Sequence, residues 1–249
     1  DLSVWVITGD GDAMSIGGNH FIHVLRRNVD LNILLFNNRI YGLTKGQYSP
    51  TSEVGKKTVS TPMGSLDHPF NPPALALGSG GTFVARTVDK ELKHMGVIVE
   101  ESHKHKGSSF VEIYQNCNIF NDNAFKDLTD KESKLNTRIL LEHNSPMVFG
   151  PENTLGIKLV DSRLEVIDLT KEHSIDDVLI HDVSDKNLAN LVSEMTYDEK
   201  LPVPFGVFYK EEKSTYEDMM VEQINDAIKS KGQGDIQSLI NGSETWQVQ

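Results

Sequence analysis

The chain has 249 residues, with 24 Lys and Arg against 36 Asp and Glu for a formal charge of −12, and 38% of its residues are hydrophobic, a composition that suits one large or two modest globular domains. So acidic a balance argues against sequence-independent nucleic-acid binding, which rewards a positive face toward the phosphate backbone. No run of 18 apolar residues is present to cross a membrane, no signal peptide opens the chain, and the one cysteine, Cys117, cannot form an internal disulfide, so the expected compartment is a reducing cytoplasm.

The chain begins at Asp1 rather than Met and enters an apolar run at residues 4–7 within three positions. The expectation is a strand whose upstream neighbours lie outside this sequence. A glycine turn (Gly9-Asp10-Gly11), a helical pattern over residues 16–27 and an apolar run over 31–36 follow. This strand, turn, helix, strand order predicts a right-handed parallel unit. Residues 82–86 read as a strand, 90–102 as a helix with Leu92, Met95 and Val99 on one face, and 109–114 as a third strand. Residues 1–117 are therefore expected to be an α/β domain, a parallel sheet flanked by helices. Residues 47–81, rich in Ser, Thr, Pro and Gly, are expected to be a long functional loop.

From residue 118 the pattern changes to a polar helical stretch over 124–135, then a hairpin of 156–160 and 164–169 around Asp161-Ser162-Arg163. A helix over 185–196, a strand over 206–209 and a helix over 214–230 complete a smaller α+β extension, residues 118–230. The Gly-, Ser- and Gln-rich tail 231–249 has too few apolar residues to order alone. No internal repeat is present.

Gly9-Asp10-Gly11-Asp12 follows what reads as a buried strand, so the backbone can turn tightly and aim N–H groups at an oxyanion at the start of the helix. A carboxylate in that turn repels phosphate unless a cation lies between them, so Asp10 implies a divalent ion with oxygen ligands, Mg²⁺ being the natural one. The next strand ends at Asn37-Asn38. In a parallel unit both points lie at the C-terminal sheet edge, where Asp10 and Asn38 can reach one ion. A glycine turn of this kind can also be purely structural; the Asn pair and the loop behind it favour a ligand. Asp12 reads as a helix cap, His20 and His23 as a packed and a surface histidine, and His103 and His105 as positive charge suiting a helix C-terminus.

Gly9-Asp10-Gly11 with Asn37-Asn38 resembles the thiamine diphosphate motif. The strings GDGDAMSIGGNHFIHVLRRN and FNNRIYGLTKGQYSPTS, with TFVAR, HKGSSFVEIYQNC and the C-terminal extension, resemble the β subunit of 2-oxoacid:ferredoxin oxidoreductases, particularly the 2-oxoglutarate type. The resemblance implies a thiamine diphosphate-binding fold in which Asp10 and Asn38 ligate Mg²⁺ through their side chains and Ile40 through its carbonyl. It places backbone donors to the diphosphate at Gly11 and Asp12, and counts Gly9 and Gly42 among the cofactor-binding positions. Leu43, Thr44 and Lys45, in the loop 41–47, would lie beside the thiazolium and the substrate. Pyruvate-specific relatives carry a small residue in place of Lys45, whose ammonium could pair with the distal carboxylate of 2-oxoglutarate. Cys117 would be the fourth ligand of a [4Fe-4S] cluster whose other three lie upstream of the thiamine motif in relatives and are absent here.

The function so implied is oxidative decarboxylation of a 2-oxoacid, 2-oxoglutarate above others, to the acyl-CoA with electrons passed to ferredoxin. The α subunit supplies the Glu that activates the cofactor, so the chain is expected to be active only with that partner, on CoA and the 2-oxoacid, with no nucleic acid or membrane involved. The alternatives are the same chemistry on pyruvate or a branched-chain 2-oxoacid, a non-redox thiamine diphosphate-dependent decarboxylase, and a non-catalytic scaffold subunit.

Overall fold

In the computed structural model, which describes residues 2–246, strands β1 (Trp5–Gly9), β2 (Asn32–Asn37), β3 (Phe83–Val88), β4 (Ser109–Tyr114), β5 (Arg138–Leu141) and a later strand, Val203–Lys210, form one sheet. Asp1 and the last three positions of the expected tail lie outside the described residues. The short strands β6 (Ser145–Pro146), β7 (Val148–Phe149) and β10 (Ile180–His181) and the hairpin of β8 (Leu155–Val160) and β9 (Arg163–Asp168) lie apart from that sheet, which makes Val203–Lys210 β11. The helices are α1 (Gly18–Arg27), α2 (Pro72–Gly78), α3 (Leu92–Lys104), α4 (Lys126–Thr129), α5 (Lys134–Thr137), α6 (Lys186–Glu194), α7 (Tyr216–Lys231) and α8 (Ile236–Asn241). Among the described residues no helix is long and apolar enough to cross a membrane.

The main sheet has the order β1-β2-β4-β3-β11-β5. β1 to β4 are mutually parallel, as the alternating pattern predicts, but β11 runs antiparallel to β3 and parallel to β5. Two strands from beyond residue 117 therefore extend the sheet begun before it, and the sheet is mixed. β2 is almost wholly apolar and buried because both its faces are covered. Ile33 and Leu35 pack with Phe21, Leu25, Ala76 and Leu77. Leu34 and Phe36 pack on the opposite face with Ile98, Met95 and Val99 of α3.

Four expectations need correction. Among the described residues the first strand pairs with β2 alone and is not buried, Val6 being 40% and Ile7 61% exposed. Residues 72–78 are helical rather than loop, because the Asn71 side chain caps the free Ala74 N–H and two prolines occupy the first turn, where a missing N–H costs nothing. The stretch 124–135 breaks into two single turns, α4 and α5, with Asp130 extended between them. On α3 Met95 and Val99 face the core as expected, joined by buried Ile98 and Ser102, but Leu92 at the helix start is largely exposed.

The expected hairpin forms, but Arg163 pairs with Val160 as the first residue of β9, leaving Asp161 and Ser162, with φ of 45° and 66°, as the left-handed pair of a tight two-residue turn. His105 caps α3 but carries no charge there: burial pushes its imidazole down to about 4, and its Nε2 lies 2.8 Å from Thr82 Oγ1. His20 and His23 are both exposed, so neither is packed.

Candidate functional site

β1 and β2 end side by side, Gly9 opposite Phe36, so Asp10 and Asn37 leave neighbouring strand ends at one sheet edge. Asp10 is buried, and its Oδ2 accepts hydrogen bonds from Ser49 Oγ at 2.5 Å and Thr51 Oγ1 at 2.6 Å. Burial raises its carboxyl above the ordinary carboxylate range, while the two hydroxyls oppose that shift. Among the described residues no Lys, Arg or His forms an ion pair with Asp10. Nor is there a group of three His, Cys, Asp or Glu arranged for a metal. A buried carboxylate without a cation is costly. Donors that are one carboxylate among hydroxyl, amide and carbonyl oxygens suit a hard divalent cation rather than a soft one.

Asn37 and Asn38 have different jobs. Asn37 is buried, its Oδ1 accepts from Arg39 N at 3.1 Å and lies 2.9 Å from Thr51 Oγ1, so it joins the group around Asp10. Asn38 is half-buried and its Oδ1 accepts from Ile40 N at 3.1 Å, a local turn that shapes the entry to the next loop. Its carbonyl accepts from Asn121 Nδ2 at 2.9 Å, which ties the segment after β4 to the segment after β2. Ile40 is buried beneath this turn.

Gly11 is required by space rather than by conformation. Its φ is −64°, yet a Cβ there would lie 2.0 Å from the Tyr41 ring, whose hydroxyl donates to Gly11 O at 3.2 Å. Asp12 is exposed and caps nothing; a π-helical turn, Asp12–Ile16, starts there with Gly11 before it and no side-chain cap. The expectation of an Asp12 cap is corrected accordingly, because the wider turn carries the chain past the position where that side chain could reach back.

The loop 41–47 is closed at its neck by Tyr41 N donating to Gln47 O at 2.9 Å and Gly46 N to Tyr41 O at 2.8 Å. Its tip projects into solvent: Leu43 is 98% exposed, Thr44 and Lys45 are exposed, and Thr44 Oγ1 donates to Gln47 Oε1. Lys45 has φ of 71°, a left-handed conformation that a lysine rarely holds without a reason. Gly42 sits beside Cys117, whose sulfur would be 3.9 Å from a Cβ on that glycine. A cavity of about 310 Å³, lined by Met14, Ser15, Tyr41, Tyr48 and Ser49 among others, opens next to the Asp10 group.

Sequence reasoning did not assign Ser49 and Thr51. The signal was the Ser-Pro-Thr-Ser run directly after the loop, three short hydroxyl side chains with no apolar periodicity. A [4Fe-4S] cluster needs four thiolates. The sequence has one cysteine, half-buried Cys117, so this chain's residues do not fit a cluster by themselves.

Residues 1–113 match the family described as "Thiamine pyrophosphate enzyme, C-terminal TPP binding domain". The chain is 47% identical over 252 residues to "2-oxoglutarate oxidoreductase subunit KorB" of Mycobacterium tuberculosis, covering 100% of this chain and 67% of that protein. It is 35% identical over 224 residues to "2-oxoacid:ferredoxin oxidoreductase subunit beta" of Saccharolobus solfataricus, covering 89% of this chain and 62% of that one. Among solved structures, 2-oxoglutarate:ferredoxin oxidoreductase from Magnetococcus marinus, with 2-oxoglutarate, coenzyme A and succinyl-CoA bound, matches with a TM-score of 0.70 at 27% identity, over 98% of this chain and 69% of that chain. The chain thus spans about two thirds of the length of these relatives. With a buried carboxylate turn at the parallel sheet edge and identity at this level along its whole length, the chain belongs to the β subunits of the 2-oxoglutarate and other 2-oxoacid:ferredoxin oxidoreductases.

Proposed function

We propose that this chain is the cofactor-binding subunit of an enzyme that oxidatively decarboxylates 2-oxoglutarate to its acyl-CoA and passes the electrons to ferredoxin. The reading is carried by Asp10, a buried carboxylate with two hydroxyls on one oxygen and no cationic side chain paired with it among the described residues, at the edge where a diphosphate would meet the turn. A divalent ion there would be held by Asp10 together with oxygens of Asn38 and the Ile40 carbonyl, and would neutralise the diphosphate against the acidic turn. Thiamine diphosphate, when bound, supplies the electron sink for loss of CO₂.

The rest falls to the chain's own residues. Ser49 and Thr51 hold Asp10 through Oδ2, leaving Oδ1 without a side-chain donor among the described residues. Tyr41 packs across Gly11 and keeps loop 41–47 seated over the turn. Lys45, exposed and in no ion pair among the described residues, offers an ammonium to the distal carboxylate of the substrate. The relatives are named as subunits, which supports assembly with a partner chain that completes the site; Cys117, beside Gly42, is available to a cluster whose remaining ligands come from elsewhere.

The test is anaerobic viologen reduction by the native complex with CoA and either 2-oxoglutarate or pyruvate. CoA-dependent reduction with 2-oxoglutarate, lost on chelation and restored by Mg²⁺, is the expected result. Reduction with pyruvate alone overturns the substrate assignment, and no reduction with any 2-oxoacid overturns the redox assignment.

A further inference from the structure

Behind the Asp10 group, on the side away from solvent, lies a charged pair that the reaction itself does not use. Arg86 on β3 and Glu112 on β4 stand opposite each other in register, both fully buried, with Arg86 Nε donating to Glu112 Oε2 at 2.6 Å. Arg86 Nη1 donates to Thr196 Oγ1 at 2.6 Å and to Pro204 O at 3.3 Å, while Nη2 has no hydrogen-bond partner among the described residues. Such a pair is a poor way to stabilise a core. Apolar residues of similar volume are commonly as good or better, because two desolvated charges recover little more than they lose. The unpartnered Nη2 makes the case worse for stability alone.

The other oxygen of Glu112 shows where the pair points. Glu112 Oε1 accepts from Asn37 Nδ2 at 2.7 Å, which fixes the amide of Asn37 with its oxygen toward the site. That oxygen takes the backbone N–H of Arg39 and lies 2.9 Å from Thr51 Oγ1. The Thr51 hydroxyl has one proton and three acceptors in reach, Asp10 Oδ2 at 2.6 Å, Asn37 Oδ1 at 2.9 Å and Ser49 Oγ at 3.3 Å, the carboxylate being the closest. Because Asn37 Oδ1 is already served by Arg39, the proton can go to Asp10. A reversed Asn37 would set two donors against Arg39 N–H and an oxygen against Glu112, so the carboxylate behind it forbids that state.

We propose that the Arg86–Glu112 pair is a positioning device for the cation site: it sets the polarity of Asn37, reserves the Thr51 proton for Asp10, and so holds the Asp10 carboxylate for a divalent ion. This rests on the reading of Asp10 as a cation ligand. It also gives the C-terminal part of the chain a role at the site, since Thr196 and Pro204 hold the far end of the guanidinium.

The experiment is a Mn²⁺ titration of the chelated complex in the presence of thiamine diphosphate, bound Mn²⁺ being read by electron paramagnetic resonance, with melting temperature followed in parallel. Replacing the pair by apolar residues, Arg86→Met with Glu112→Leu, is expected to leave the melting temperature near that of the parent and to weaken Mn²⁺ binding about tenfold or more, the weight of one hydrogen bond to a charged group. Thr51→Val is expected to weaken it similarly and Thr51→Ser to retain it. Adding Thr51→Val to the double variant should cause little further loss, since both act through one hydroxyl. Should the double variant not fold, Asn37→Leu, which removes the amide the pair orients, takes its place in the same cycle.

Parental Mn²⁺ affinity in the apolar variant, or losses that add in full, overturns the inference. Asp10→Asn separates it from its foundation. If that change abolishes Mn²⁺ binding while the apolar pair does not, only the positioning role falls; if Mn²⁺ binds as before without the carboxylate, the cation site falls and the inference with it.

Discussion

Lys45 shows how much one side chain can carry. It stands at the exposed tip of loop 41–47 with φ of 71°, and no ion pair among the described residues competes for its ammonium. Lys45→Ala is expected to lower turnover of 2-oxoglutarate far more than turnover of pyruvate, which lacks the distal carboxylate; steady-state rates on the two substrates check this, and equal losses would remove Lys45 from substrate selection. His105 is the opposite kind of residue, buried and neutral. Its ordinary value is near 6.5 and burial lowers it to about 4 in the folded chain. A base lowered on folding contributes stability that is fully present above its ordinary value and is lost as pH falls through the folded one. Between roughly pH 6.5 and 4 the protein should therefore lose on the order of 3 kcal/mol through this group. Urea denaturation across that range should show His105→Gln with a flatter acid limb than the parent; His94 and His181, lowered by burial as well, leave part of the slope in place.

At the scale of elements, the contact that matters is between the turn after β1 and the loop after β2. Gly11 and Tyr41 occupy each other's space so closely that a single methyl group on the glycine would lie 2.0 Å from the ring. Gly11→Ala is expected to drive Tyr41 off the turn, unseat loop 41–47 and weaken thiamine diphosphate binding by about tenfold or more, an overpacking cost of roughly 1–3 kcal/mol. Tyr41→Ala in the same chain should recover part of that affinity by making room. Calorimetric titration of the four combinations measures the coupling, and strictly additive effects would mean that the two residues act separately. The end of α1 shows similar economy. Asn28, at φ of 53°, closes the helix, and its side chain accepts from Thr82 Oγ1 and Ser108 N while donating to the Lys213 and Ser214 carbonyls. One left-handed residue thus joins the helix, two strand ends and the start of the C-terminal arm.

The whole molecule is organised around one mixed sheet whose central strands are covered on both faces and whose first strand is not. The C-terminal arm is built differently from the rest. Thr215 is buried at its root, but neither α7 nor α8 buries a residue, and Met220, Ile224, Ile228, Leu239 and Ile240 are all exposed. Removal of the residues after α7 should shift the melting temperature by less than about 2 °C, because no described side chain there contributes buried area. A scanning-calorimetry trace of the shortened chain decides it, a larger drop showing that the arm packs on the body in solution. By contrast, removing β11 would take the register partner of β3 and the Pro204 carbonyl that holds Arg86, so the C-terminal half cannot be trimmed to that point without loss of the fold.

What the sequence determined by itself is what depends on neighbours along the chain. The order of strand, glycine turn, helix and strand, the hairpin around residues 161–163 and the GDG and Asn pair are all legible because local sterics and short-range periodicity decide them. The placement of Asp10 near the end of β2 followed from the topology of any parallel unit. What only the tertiary structure decided depends on residues far apart in sequence. That β11 and β5 join the main sheet and that Asn37, Ser49 and Thr51 join the Asp10 group were not legible. Nor was the pairing of Glu112 with Arg86, 26 residues away. Strand order, burial and the partners of a buried charge are set by which distant surfaces meet, and no local pattern records that choice.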